Sequence, residues 1–100
     1  MTLDLGKLMS PYHLTNGLNL RNRIVMSPMS RNLSYDHIPG ADVARYYQRR
    51  AEGGVGLIIT EATAINHPAA QGAVAHAGGA KAAPGLASKA ALDGWRRVVD

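Results

Sequence analysis

Val55-Gly56-Leu57-Ile58-Ile59-Thr60 is apolar along almost its whole length. A short run without polar alternation reads as a strand buried on both faces. Such strands belong to parallel sheets covered by helices. Gly53-Gly54 precedes the run and supplies the left-handed stop of a helix. That helix is predicted over Ala41 to Glu52, where Val43, Tyr46, Tyr47, Arg50 and Ala51 recur at helical spacing. Asp42 lies in its first turn, where a carboxylate meets the positive helix end. Asn32 to Gly40, ahead of the helix, reads as a polar loop. Earlier still, Arg23-Ile24-Val25-Met26 reads as a second buried strand, stopped at Ser27-Pro28. About 28 residues join the two strands, enough for a right-handed βαβ crossover.

Further out, Tyr12-His13-Leu14-Thr15 and Leu18-Asn19-Leu20-Arg21 flank Asn16-Gly17. Asn-Gly suits the two positive φ angles of a type I′ turn, so a hairpin is predicted with that turn. On the other side a helix is predicted from an N-cap at Ser88, with Leu92, Trp95, Val98 and Val99 as its apolar stripe. Residues 69–91 between are dominated by alanine and glycine and read as a flexible loop. The chain is expected to be one unit over residues 1–100. It stops at Arg96-Arg97-Val98-Val99-Asp100, inside the last predicted helix, so the expectation is the opening part of a larger domain.

The composition narrows the chemistry. Of 100 residues, 46% are hydrophobic, 18% charged and none is cysteine. A disulfide scaffold, a cysteine-ligated metal and a thiol nucleophile are excluded within these residues. No apolar run approaches the about 20 residues a membrane span needs. The first ten residues lack the features of a secretory signal, so the expected setting is the cytoplasm. The net charge of +4 permits nucleic-acid binding without arguing for it. Arg45, Arg49 and Arg50, with Tyr46 and Tyr47 beside them, could form a basic stripe. The favoured reading is a solvated helix face with the tyrosines turned inward, and no nucleic-acid partner. His13, His37, His67 and His76 share no metal-ligand spacing, so no metal site is expected. Gly54-Val55-Gly56 follows a helix and opens a strand, the reverse of a dinucleotide-binding glycine loop. Glu61 and Asp36 could be imagined as an acid–base pair, but no spacing places them together.

In parallel α/β folds, ligands meet the carboxyl ends of the strands. Two such ends are visible, Ser27-Pro28-Met29-Ser30-Arg31 and Thr60-Glu61-Ala62-Thr63-Ala64. A flat, partly apolar ligand with carbonyl edges would suit them. Pro28 stiffens the turn, Met29 offers a soft surface, the Ser30 hydroxyl can donate one aimed hydrogen bond, and Ala62 lets a ring approach the backbone. The alternative is that both are ordinary loop starts.

At these residues the chain resembles the N-terminal part of the Old Yellow Enzyme family of FMN-dependent ene-reductases. The resemblance runs from Leu8 and Pro11-Tyr12 through Gly17 to Met26 and Pro28-Met29-Ser30-Arg31. It continues in Tyr46-Tyr47, Arg50-Ala51 and Gly56 to Thr63, and again in Leu92 to Asp100. It implies an α/β fold: the beginning of a (β/α)₈ TIM barrel whose N-terminal hairpin closes the barrel bottom. It also implies FMN at the carboxyl ends of the strands and NAD(P)H as reductant. Hydride would pass from the nicotinamide to the flavin and on to an activated alkene, a small-molecule substrate. Pro28 and Met29 would then touch the isoalloxazine. Ser30 would stand where the family commonly has Thr or Cys, near the flavin C4 carbonyl. Ala62 would be the small residue after Glu at the end of the second strand. The family's substrate-gripping pair, proton donor and phosphate-binding residues match nothing in this chain, and residues 72–89 depart from its pattern. The intact protein could be a homo-oligomer, and these residues alone are expected to be inactive. The alternative readings are a non-catalytic remnant or interaction module and, more weakly, a basic nucleic-acid-binding piece.

Overall fold

The computed structural model describes residues 4–70 and 81–100. Among the described residues the helices α1 (Gly6–Met9), α2 (Ala41–Glu52) and α3 (Lys89–Val99) accompany six short strands. The strands are β1 (Tyr12–His13), β2 (Asn19–Leu20), β3 (Val25–Met26), β4 (Ser34–Tyr35), β5 (Leu57–Ile58) and β6 (Lys81–Ala82). They pair as β1–β2 and β4–β6, both antiparallel, and as β3–β5, which is parallel.

The β3–α2–β5 unit is the predicted βαβ crossover. Val25 sits opposite Leu57 and Met26 opposite Ile58. The ladder is extended by Gly56 and Leu57 amides on the Ile24 carbonyl, at 3.0 and 3.2 Å, and by the Ile59 amide on Met26, at 3.0 Å. α2 occupies the predicted span, and its end is a Schellman motif. Gly54 takes φ +103°, its amide donates to Ala51 O at 3.1 Å, and the Val55 amide reaches Arg50 O at 3.4 Å. The left-handed residue is therefore Gly54; Gly53 stays helical at φ −69°. Arg21 and Asn22 lock this corner. Arg21 donates to Ala51 O at 2.7 Å, among the orphan carbonyls of the helix end, and buried Asn22 donates to Gly54 O at 2.6 Å. A Cβ on Gly56 would lie 2.5 Å from Asn22 O, so only glycine lets β5 enter here.

The hairpin forms with a different turn. Leu14 and Leu18 close a three-residue loop, Thr15-Asn16-Gly17, through the Leu14 amide on Leu18 O at 2.8 Å. The Gly17 amide donates to Leu14 O at 3.0 Å, and in this loop only Gly17, at φ +90°, has a positive φ. This is the pattern of a type I turn followed by a left-handed glycine bulge, not a type I′ turn. Asn16 instead accepts from the Leu18 amide at 3.1 Å, a local bond that suits the ordinary backbone conformation.

Two stretches expected to lack regular structure carry strands. The loop at 32–40 contains β4, and the alanine- and glycine-rich segment contains β6. Ser34 pairs with Ala82 and Tyr35 with Lys81. Asp36 and His37, at φ 51° and 61°, turn the chain after β4. The His37 ring then meets Ala83 O at 2.7 Å, and the Gly85 amide donates to His37 O at 2.8 Å. Ala83, Pro84 and Gly85 are buried. Small residues serve this close approach: a Cβ on Gly85 would be 3.3 Å from the His37 Cβ. Residues 71–80 of the predicted loop, His76 among them, lie outside the described residues.

α3 begins as predicted, with the Ser88 hydroxyl accepting from the Ala91 amide at 3.1 Å. Its buried face differs from the predicted stripe. Ala91 and Gly94 are buried, Trp95 and Val98 half-buried, and Leu92 and Val99 exposed. Gly94 sits against the Pro39 carbonyl, and this contact rotates the stripe toward the small residues. No closed barrel forms among the described residues; the molecule is a partial α/β piece whose core centres on Val43 and Tyr47.

Candidate functional site

Because β3 and β5 run parallel and in register, their carboxyl ends emerge at one edge of the pair. Ser27, Pro28, Met29 and Ser30 leave β3 exposed there, Met29 at 48% of its full surface. Ala62 follows β5 and is exposed as well, between buried Glu61 and half-buried Thr63. The parallel pairing thus places the four predicted site residues on one edge of the fold, three from one strand end and one from the other.

Both segments are tied to α2 by its two adjacent tyrosines. About 100° separates successive side chains on a helix, so neighbours in sequence reach different partners. Tyr46 holds the first segment. The Arg31 guanidinium lies 3.7 Å from the centre of its ring, and so does that of Arg50. Two guanidinium carbons at that height cannot share one face, so the ring is sandwiched between them. Tyr47 holds the second segment. Its hydroxyl donates to Glu61 Oε2 and accepts from the Glu61 backbone N–H, each at 2.9 Å. Glu61 is only 3% exposed. Burial is the main cause that pushes the Tyr47 hydroxyl up to about 12, so it stays a proton donor at neutral pH. The two rings meet edge to face at 5.2 Å. Thr63 adds a hydroxyl bond to Glu61 O at 2.9 Å.

Glu61 is therefore a positioning residue partnered by Tyr47. It does not pair with Asp36, which is exposed in the turn after β4. The spacing of 14 residues between Tyr47 and Glu61 carried no signal in the sequence, although both residues lie in blocks that the resemblance singled out. The basic stripe is also divided. Arg50 stacks on Tyr46 and bonds Tyr46 O at 3.2 Å, whereas Arg45 and Arg49 line a cavity with Tyr46, Asp42 and Arg31. The described histidines bond within the fold: His13 with Asn19, His37 with the distant Ala83 carbonyl, and His67 with the Ala69 amide.

Residues 7–100 match the NADH:flavin oxidoreductase / NADH oxidase family. The chain belongs to that family, the Old Yellow Enzyme family. It is 37% identical over 93 residues to 12-oxophytodienoate reductase 1 of Oryza sativa subsp. japonica, covering 93% of this chain and 22% of that protein. It is 39% identical over 95 residues to chanoclavine-I aldehyde reductase of Penicillium roqueforti, covering 94% and 23%. Among solved structures it resembles morphinone reductase in complex with tetrahydroNAD, with a TM-score of 0.71 and 36% identity over 92% of this chain and 22% of the other. The old yellow enzyme from Trypanosoma cruzi gives a TM-score of 0.70 and 35% identity, covering 94% and 23%. The chain thus spans less than a quarter of the length of these Old Yellow Enzyme relatives. The family's cofactors are FMN and a reduced nicotinamide. Among the described residues no helix is long and apolar enough to cross a membrane.

The residues at the shared strand edge fit a flavin. An isoalloxazine needs apolar surface, a donor for a ring carbonyl, and a place where the backbone can be approached closely. Exposed Met29 and Pro28, the exposed Ser30 hydroxyl and the exposed single methyl of Ala62 offer these in turn.

Proposed function

We propose that this chain forms the FMN-contacting opening of a (β/α)₈ barrel in an NAD(P)H-dependent ene-reductase. One observation carries this assignment: the parallel β3–β5 pair delivers Pro28-Met29-Ser30 and Ala62 to a common carboxyl edge, inside a family match that covers residues 7–100. FMN, when bound, supplies hydride transfer from a reduced nicotinamide to the β-carbon of an alkene activated by a carbonyl or nitro group. The chain's own residues bind and orient. Pro28 and Met29 would offer the ring system apolar surface, Ser30 would supply a hydrogen-bond donor for a ring carbonyl, and Ala62 would admit the ring beside the backbone. Arg31 and Glu61, fixed on Tyr46 and Tyr47, hold the two segments at their separation.

The test uses the intact protein. A yellow preparation with one FMN per chain, whose NAD(P)H oxidation is accelerated by an enone with loss of its double bond, is the expected result. A protein that neither retains flavin nor reduces an enone would overturn the proposal.

A further inference from the structure

Residues 27–32 contain three of the four residues at the shared edge, Pro28, Met29 and Ser30. The β3 ladder ends where the Ile59 amide meets Met26 O, and strand pairing resumes at Ser34. Between these points no hydrogen bond among the described residues holds the chain. The ring contact of Arg31 with Tyr46 is what ties the stretch to α2. The Arg31 guanidinium lies 3.7 Å from the ring centre, and its Nη1 is buried with no hydrogen-bond partner. Withdrawn from water and without an acceptor, that group is held by the ring face.

The ring itself is braced. Arg50, one turn further along α2, lies 3.7 Å from the same ring and donates to Tyr46 O at 3.2 Å. Tyr47, anchored on Glu61, meets it edge to face at 5.2 Å. Arg31 rests on the remaining face. Directly after it, Asn32 takes φ 55°, a left-handed turn that asparagine tolerates. The chain is therefore pinned at Arg31 and turned at Asn32. Ser30, one residue earlier, is exposed while Arg31 is half-buried. The place where Arg31 is pinned decides where the Ser30 hydroxyl points, and a hydrogen bond weakens steeply once its angle is lost.

We propose that Tyr46 is a positioning residue: it holds Arg31 so that the Ser30 hydroxyl is aimed at the flavin, and thereby raises the flavin's reduction potential. The inference rests on the reading of the β3–β5 edge as the flavin site and adds a residue that acts through another. Ser30 supplies the bond, and Tyr46 supplies its direction.

Midpoint potentials of the intact holoprotein, measured against a reference dye during slow reduction, test this. Tyr46→Leu removes the flat face and is expected to lower the potential by most of the shift that Ser30→Ala produces. Tyr46→Phe keeps the face and is expected to keep the wild-type potential. Arg31→Met removes the other half of the stack, is expected to match Tyr46→Leu, and answers the question if loss of the ring prevents folding. On a Ser30→Ala background neither change is expected to lower the potential further, whereas an effect of lost charge or of general loosening would persist there. Wild-type potentials in Tyr46→Leu and Arg31→Met beside a shifted Ser30→Ala would overturn the inference alone. So would shifts that add in full to that of Ser30→Ala. A wild-type protein without flavin, or Ser30→Ala with an unshifted potential, would instead remove the flavin site or the Ser30 bond, and the inference with it.

Discussion

Tyr47 shows how one hydroxyl can hold a strand end. It donates to the Glu61 carboxylate and accepts from the Glu61 amide, and both partners lie in the interior. Tyr47→Phe keeps the ring and leaves two buried polar groups unpaired. A loss of about 1–3 kcal/mol is expected in denaturant unfolding. The hydroxyl's ordinary value of 10.0 is raised in the fold to about 12. The folded state therefore holds this proton more tightly than the unfolded state. Its contribution is complete below pH 10 and declines as pH rises toward 12. The stability gap between the wild-type protein and Tyr47→Phe is expected to narrow across that window; a constant gap would contradict the burial of this hydroxyl. The role proposed for Ser30 is different and concerns the cofactor. If its bond to flavin is worth about 1.4 kcal/mol in favour of the reduced form, Ser30→Ala lowers the two-electron midpoint potential by about 30 mV. An unshifted potential would remove Ser30 from that role. That Pro28, Met29, Ser30 and Ala62 share one edge was legible from the parallel order of the two strands. The pairing of Tyr47 with Glu61 was not, since no periodicity links a helix position to a strand end 14 residues away.

The elements whose local signals agree are those the sequence located well. α2 has a helical apolar period, an acidic first turn and a glycine stop, and it forms at Ala41–Glu52. The Ser88 cap likewise fixes the start of α3. β4 and β6 were missed for a physical reason. Each is two residues long, and its pairing energy comes from a partner more than forty positions away, through backbone bonds that side-chain pattern does not report. The hairpin was found but its turn mistaken, because Asn-Gly serves both a two-residue turn and a three-residue turn ending in a left-handed glycine. Glycine at a close contact also reverses ordinary propensity. In an exposed helix Gly→Ala gains about 1 kcal/mol. At Gly94 the new Cβ would meet Pro39 O at 2.5 Å, backbone that has no room to yield. Gly94→Ala is therefore expected to destabilise by about 1–3 kcal/mol in denaturant unfolding, the range of an overpacked core. A stabilised variant would show that α3 does not press on Pro39.

At the scale of the molecule, the described residues leave large apolar side chains exposed. Val25 is 46% exposed and Val99 77% exposed, and among the described residues the parallel sheet has two strands. A two-stranded sheet is marginal by itself, and its unpaired edges invite association. Expressed alone, residues 1–100 are expected to be colourless, prone to aggregate and without enone reductase activity; a soluble yellow 100-residue polypeptide that turns over would contradict this. The βαβ unit was legible from the order of hairpin, strand, helix and strand, and the family from blocks of residues in fixed order. The shape of the buried faces was not, because it depends on contacts such as Gly94 with Pro39 and Gly85 with His37 that join distant segments. The central claim is that the shared edge of β3 and β5 receives the flavin ring. It is tested by equilibrium FMN binding to the intact apoprotein carrying Ala62→Leu, a substitution at an exposed position. The expected result is an affinity reduced about tenfold or more, as the larger side chain takes the place of the ring. An Ala62→Leu protein that binds FMN as tightly as the wild type would contradict the claim.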